Sequence, residues 1–176
     1  MSTEFYNRNW RMPNSWNGST DNNNKASNYS MQFSGANETI HIVNGVAASD
    51  NIFIPHNKTM SISAFINING SFGSYGSGAI FSTQVHNSGV QFGLIVLSSN
   101  KLRFRIRFSG GSPFYADADS STTLSLNTWY HVVGTWDGSN VKVYIDGVAD
   151  GTPVSCSNIY TQSSNYYTSI GAAENG

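Results

Sequence analysis

The chain has 176 residues, enough for one domain with a sizeable core. Only 11% of them are charged, nine Lys and Arg against ten Asp and Glu, so no overall field draws the chain to nucleic acid or to an anionic membrane surface. No run reaches the roughly 18 apolar residues of a membrane-spanning helix.

The stretch from Met1 to Asn28 is rich in Asn and Ser and shows neither a helical nor a strand period. Its start, MSTEFYNRNWRMPNSWNGS, lacks the apolar core of a secretory signal. Trp10 and Trp16 stand in this arm beside Phe5 and Tyr6. The arm reads either as a flexible leader or, since aromatic rings are rare in a purely solvated linker, as a segment that packs on its own domain or on a partner with Trp10 and Trp16 as the contact residues. The domain proper is expected over residues 29–176.

Strand signals recur to the end. YSMQFSG and ETIHIV alternate around the turn-like Gly35-Ala36-Asn37, and MSISAFINI places Met60, Ile62, Ala64, Ile66 and Ile68 on one face. Gly70 to Gly78 is too glycine-rich for an element interior and reads as a loop. AIFSTQ, VQFGLIVLS, KLRFRIRF, PFYADAD, the paired runs of NTWYHVVGTWDGSNVKVYIDG, and YYTSIGA follow as strands. Many short strands punctuated by turns, with no helical period, mean an all-β, two-sheet antiparallel β-sandwich of jelly-roll type. Cys156 is the single cysteine, which excludes an intrachain disulfide and reads as a small buried hydrophobe. The low cysteine count also fits assembly in a reducing cytoplasm.

KLRFRIRFSGGSPFYADAD carries the clearest pairing. Leu102, Phe104, Ile106 and Phe108 point one way, and Lys101, Arg103, Arg105 and Arg107 the other. A turn over Ser109 to Pro113 would set Phe108 against Phe114, Ile106 against Ala116, Arg107 against Tyr115, Arg105 against Asp117 and Arg103 against Asp119. Each opposite-charge pair contributes roughly 0.2–1 kcal/mol. The basic stripe, which alone would look like an anion site, is therefore expected to be neutralised by its own hairpin. Its Arg forks and Tyr ring still suit sugars and carboxylates.

WYHVVGTWDGSNVKVYIDG resembles the signature hairpin of concanavalin A-like, laminin-G-type jelly rolls, through Trp129, His131, Asp137-Gly138 and Tyr144 to Gly147. NYSMQFSGANETIHI is similar to the family's first strand pair, MSISAFINI to the next strand with Phe65 where a Trp is common, and YTSIGAAENG to its penultimate strand. The leader NRNWRMPNSWNG with SNYSM also resembles virion-associated lectin-like proteins of marine bacteriophages. The resemblance implies a fold that hosts lectins, pentraxins, glycosidases and adhesion modules, so it specifies architecture more than activity. Members continue past SIGAAENG into a final strand; here the sequence given stops at Gly176, so it is either a fragment or leaves a sheet edge open to a strand from another chain, and the expectation is an oligomer or a docked position in a larger assembly.

Enzyme chemistry is poorly provided for. Glycosidases need two carboxyl groups, and the glucanase pattern of Glu-x-Asp-x-(x)-Glu is missing, since the only glutamates are Glu4, Glu38 and Glu174. Asp117 and Asp119 share a face, but an Arg opposite each lowers a carboxyl pKa instead of raising it. Gln84, Val85 and His86 match the Gln-Val-His tripeptide of alginate-type lyases, without the Arg-rich strand and the Tyr-Lys strand such enzymes also use. His131 is expected in a packing role, donating to a backbone carbonyl; His41 lies in an early strand and His56 in a turn. No catalytic residue is assigned.

No cofactor is required, and calcium is the one ion to weigh. Jelly-roll lectins hold it through loop oxygens, for which Asp50-Asn51, Asp137, Asp146 and Asp150 are the candidates. Asp137 and Asp146 each precede Gly, where an Asp side chain caps its own turn, and that is the expected role. The expected function is a non-enzymatic lectin-like binding or structural module on a virion surface, assembled in the host cytoplasm. Its expected partners are glycans, other virion subunits and further copies of itself, with no nucleic acid and no membrane insertion. Tyr75, Tyr115, Trp136 and Asn140, taken as loop or outward-facing positions, are the expected sugar contacts. A purely structural assembly subunit is the competing reading.

Overall fold

A computed structural model of the chain describes residues 32–33, 40–46, 59–70, 77–85, 89–107, 114–157, 159 and 166–171. The chain divides into two compact units, Met1–Gln32 and Phe33–Gly176. Of the first, only Gln32 is described, so Trp10 and Trp16 lie outside the described residues, as do Tyr75, His86, Asp50 and Asn51.

The described residues form strands only: β1 (Ile40–Val46), β2 (Met60–Asn67), β3 (Ser77–Val85), β4 (Gly89–Leu97), β5 (Lys101–Arg107), β6 (Tyr115–Thr123), β7 (Trp129–Trp136), β8 (Asn140–Ile145), β9 (Val148–Ser155) and β10 (Tyr166–Ile170). They make two antiparallel sheets, a six-stranded one in the order β1-β10-β3-β4-β5-β6 and a four-stranded one in the order β2-β7-β8-β9. This is the two-sheet sandwich that the strand pattern implied.

The core lies between the sheets. Phe92, Leu94 and Val96 of β4 and Leu102, Phe104 and Ile106 of β5 face Val132 and Trp136 of β7 and Val141, Val143 and Ile145 of β8, all buried. Strict alternation puts each of these on the inner face. Gly134 completes the inner row of β7: a Cβ there would stand 2.4 Å from the Phe104 ring, so the missing side chain is what lets that phenyl enter. Hydroxyl pairs bind β3 to β10, Thr83 to Thr168 at 3.0 Å and Ser82 to Ser169 at 3.2 Å, which satisfies four buried polar side chains.

Turns follow local chemistry. Asp146 and Gly147 both take positive φ, 50° and 82°, the requirement of a two-residue type I′ hairpin between β8 and β9. Asn100 at φ 57° closes the turn into β5, its N–H donating to the Leu97 carbonyl at 2.8 Å.

One strand was not legible beforehand. β9, VADGTPVS, holds Gly151 and Pro153 and shows no clean alternation. It forms because it is a sheet edge, where proline is tolerated, and because Asp150 reaches across to β6, accepting from the N–H groups of Ser121 and Thr122. β6 in turn runs on to Thr123, four residues past the expected PFYADAD end at Asp119.

Candidate functional site

Pairing between β5 and β6 places Arg103 opposite Asp119, Arg105 opposite Asp117, Ile106 opposite Ala116 and Arg107 opposite Tyr115, the register read from the sequence. Phe108 lies outside the described residues, so its pairing with Phe114 does too. Arg103 Nε and Nη2 donate to the two carboxylate oxygens of Asp119 at 2.6 and 2.7 Å, and Arg105 does the same to Asp117 at 2.7 Å on each oxygen. Asp117 also lies 3.1 Å from Arg103 Nη1, which links the two pairs into a network. The Asp119 hydrogen bond, against the opposing effect of burial, holds the Arg103 guanidinium above its usual pKa, helped by the charges of Asp117 and Asp119. Tyr115 is half-buried with the Arg105 guanidinium 4.4 Å from its ring centre. The outer face of the six-stranded sheet is thus neutralised by its own carboxylates at Arg103 and Arg105.

The three expected sugar contacts among the described residues, Tyr115, Trp136 and Asn140, do not converge. Trp136, taken as outward-facing, is a core residue: it is 1% exposed, and its Nε1 donates to the Cys156 carbonyl at 2.7 Å. Its position on β7, two after Gly134 and four after Val132, puts it on the inner face, and the Asp137 turn begins only after it. Cys156 itself is buried and in no disulfide, as expected. Asn140 opens β8 in the other sheet from Tyr115 and is half-buried; its N–H donates to Asp137 at 2.7 Å and its carbonyl accepts from the Asp137 N–H at 3.2 Å.

The described carboxylates are all engaged as acceptors. Asp137 Oδ1 accepts from the N–H groups of Asn140 and Ser139, and Oδ2 receives Lys142 Nζ at 3.0 Å. Those bonds, the Asn140 and Ser139 ones first, lower its pKa to about 2. Burial pushes the Asp150 carboxyl up, but the Thr122 hydroxyl and N–H, the Ser121 N–H and the Lys101 charge outweigh it and hold it below its usual value. Asp146 corrects one expectation: its carboxylate caps no local turn but accepts the His131 N–H across the hairpin at 2.8 Å. Among the described residues, no three His, Cys, Asp or Glu side chains group as a metal site. Gln84 sits in β3 opposite Tyr167, and the lyase-like tripeptide it begins runs out of the described residues at His86.

A different constellation occupies the outer face of the four-stranded sheet. β2 pairs with β7 so that Phe65 faces His131, Asn67 faces Trp129 and Ser63 faces Val133. Phe65 is 73% exposed and Trp129 54%. As diagonal neighbours in an antiparallel pair they stand about 7–8 Å apart. The imidazole of His131 packs on Phe65, centroids 4.8 Å apart at a 35° tilt, and its Nε2 hydrogen-bonds the Ser63 hydroxyl at 2.8 Å. This corrects the expectation that the ring donates to a backbone carbonyl. On β8, Tyr144 pairs with Val133 and extends the same outward row. Sequence reading missed this platform because its halves lie on strands far apart in the chain; only the β2–β7 register brings them together.

Part of the chain is similar to solved structures. The binding domain of botulinum neurotoxin DC, solved with rat synaptotagmin II, is 20% identical with a TM-score of 0.50, over 81% of this chain and 37% of that one. A heptameric SAP-like pentraxin from Limulus polyphemus is 20% identical with a TM-score of 0.48, over 81% of this chain and 63% of its own. Domain 4 of AbnA, an extracellular arabinanase of Geobacillus stearothermophilus solved with arabinotriose, is 19% identical with a TM-score of 0.47, over 65% and 51%. At these identities the likeness is one of fold, and the chain spans less than two thirds of each of these structures. No curated protein matches the sequence. A family model of laminin-G type, described as the concanavalin A-like lectin/glucanases superfamily, matches residues 43–176, so the chain belongs to that superfamily.

Proposed function

We propose that the chain is a non-enzymatic, lectin-like binding module of a bacteriophage particle surface, which contacts glycans through the aromatic platform of Phe65, His131 and Trp129. The platform carries the reading: apolar rings offered to solvent on a rigid sheet suit the C–H faces of sugars, and flanking hydroxyl and amide groups suit their hydroxyls. The described carboxylates support it from the other side, since each already accepts from an Arg, Lys or backbone N–H donor of its own sheet or turn, and no two of them stand free as the carboxyl pair a glycosidase requires. The particle setting rests on the resemblance of the leader and would place the protein in virions assembled in the host cytoplasm.

A glycan array probed with the full chain, with and without a calcium chelator, tests the reading. Binding that Phe65→Ala and Trp129→Ala abolish is the expected result. An array without binding overturns it in favour of the second reading, a structural subunit that contacts virion proteins or further copies of itself. One observation favours that alternative: Phe65 and Trp129 are large apolar rings left mostly exposed on the sheet face, as a surface awaiting a protein partner would leave them. It predicts that the full chain self-associates by light scattering, while a version starting at Asn28 stays monomeric.

A further inference from the structure

Resting on the glycan-binding reading, we propose that the β2–β7 platform takes a neutral, polymeric polysaccharide laid along the sheet, not a terminal sugar. Shape comes first. A pocket holds a small ligand by burying most of its surface. Phe65 and Trp129, 73% and 54% exposed, stand clear of any such enclosure. A single sugar resting on them is gripped on one side only, which leaves little surplus over the cost of immobilising it. A polymer repeats the same weak contact along the diagonal from Trp129 past the Phe65–His131 pair toward Tyr144. Each further ring is then bound at high effective concentration.

Charge selects the polymer. Along β2 and β7 the outward residues include no Asp, Glu, Lys or Arg. Among the described residues, the nearest charges on this face are already engaged, Asp146 with the His131 N–H and Lys142 with Asp137. Among the described residues the cation on this face, Lys142, is paired with Asp137, so a uronate or sulfate would have to displace that carboxylate, whereas a neutral ring loses only hydroxyl hydration. Hydroxyls are provided for: among the described residues, the Trp129 indole N–H, the Asn67 amide and the second nitrogen of His131 make no hydrogen bond within the protein. Such a fringe of neutral donors and acceptors around apolar rings fits the two-sided character of a pyranose, C–H groups on its faces and hydroxyls at its rim.

The test is co-sedimentation of the full chain with three insoluble probes: amorphous cellulose, chitin and cross-linked alginate. Retention on at least one neutral polymer is expected, undiminished in 1 M NaCl, with little competition by the matching disaccharide. Phe65→Ala and Trp129→Ala should each weaken it roughly tenfold. Phe65→Trp should keep it, which separates loss of a ring from damage to β2; both alanine variants alter exposed positions, so their melting curves should match the parent. Binding confined to alginate and removed by salt overturns the inference, as does retention that both alanine variants keep. Binding of soluble terminal sugars on the array with no polymer retained overturns the inference but leaves the glycan reading standing. No glycan bound in either format overturns both. A self-associated species that Phe65→Ala dissociates assigns the platform to protein contact, and it too overturns the proposal.

Discussion

Arg103 and Asp119 meet in a two-pronged ion pair across β5 and β6, and Arg103 also reaches Asp117, the partner of Arg105. Asp117 therefore serves two guanidinium groups and Asp119 one. These side chains are 23–38% exposed, so solvent screens each pair to about 0.5–1 kcal/mol. Replacing Asp117 with Asn strips two contacts and leaves Arg103 and Arg105 facing each other along one strand. We expect Asp117→Asn to lower the urea midpoint more than Asp119→Asn does. Equal effects would mean that the network adds nothing beyond its separate pairs. High salt should narrow the difference.

The same hairpin shows why part of the fold was legible. KLRFRIR and YADAD alternate so strictly that charge, aromatic and alanine positions agree on one register. Trp136 was misread because it sits beside the Asp137 turn, and the inner row of β7 is interrupted by Gly134, which carries no hydrophobic signal. β9 was invisible for a related reason: edge pairing and the Asp150 contact hold it, not its own residue preferences. The platform lies beyond any local pattern, because four strands intervene between Phe65 on β2 and His131 on β7, and sequence alone cannot choose β7 as the neighbour of β2.

Trp136 supplies a direct check on the core. Trp136→Phe removes the bond to the Cys156 carbonyl and leaves a small void, at a cost of about 1–3 kcal/mol. Trp136→Ala should cost about 3–5 kcal/mol. Denaturant unfolding measures both. Sugar or polymer retention by folded Trp136→Phe should equal that of the parent, in contrast to Trp129→Ala; a selective loss of binding would return Trp136 to the ligand site.

Gly134 and Phe104 are a complementary pair. Gly134→Ala inserts a methyl group 2.4 Å from the phenyl ring and should destabilise by about 1–3 kcal/mol through overpacking. Phe104→Leu alone leaves a cavity and also destabilises. Combined, the two changes should cost less than the sum of their separate effects, because the smaller side chain makes room for the methyl group. Additive costs in urea unfolding would show that the backbone shifts instead, and that Gly134 matters for some reason other than Phe104.

Acid stability should report the turn and edge carboxylates. Asp137 is held down to about 2, and Asp150 is also held below its usual value. A carboxyl with a depressed folded pKa adds stability that is present above its unfolded pKa, about 3.9, and that is lost as pH falls through the folded value. The melting temperature should therefore fall between about pH 4 and pH 2. Asp137→Asn keeps an oxygen for the Ser139 and Asn140 N–H groups but cannot titrate or pair with Lys142. It should start lower at pH 7 and lose less on acidification, and Asp150→Asn should behave alike through Ser121 and Thr122. A parent and an Asp137→Asn variant with parallel pH profiles would show that the turn forms without its charge.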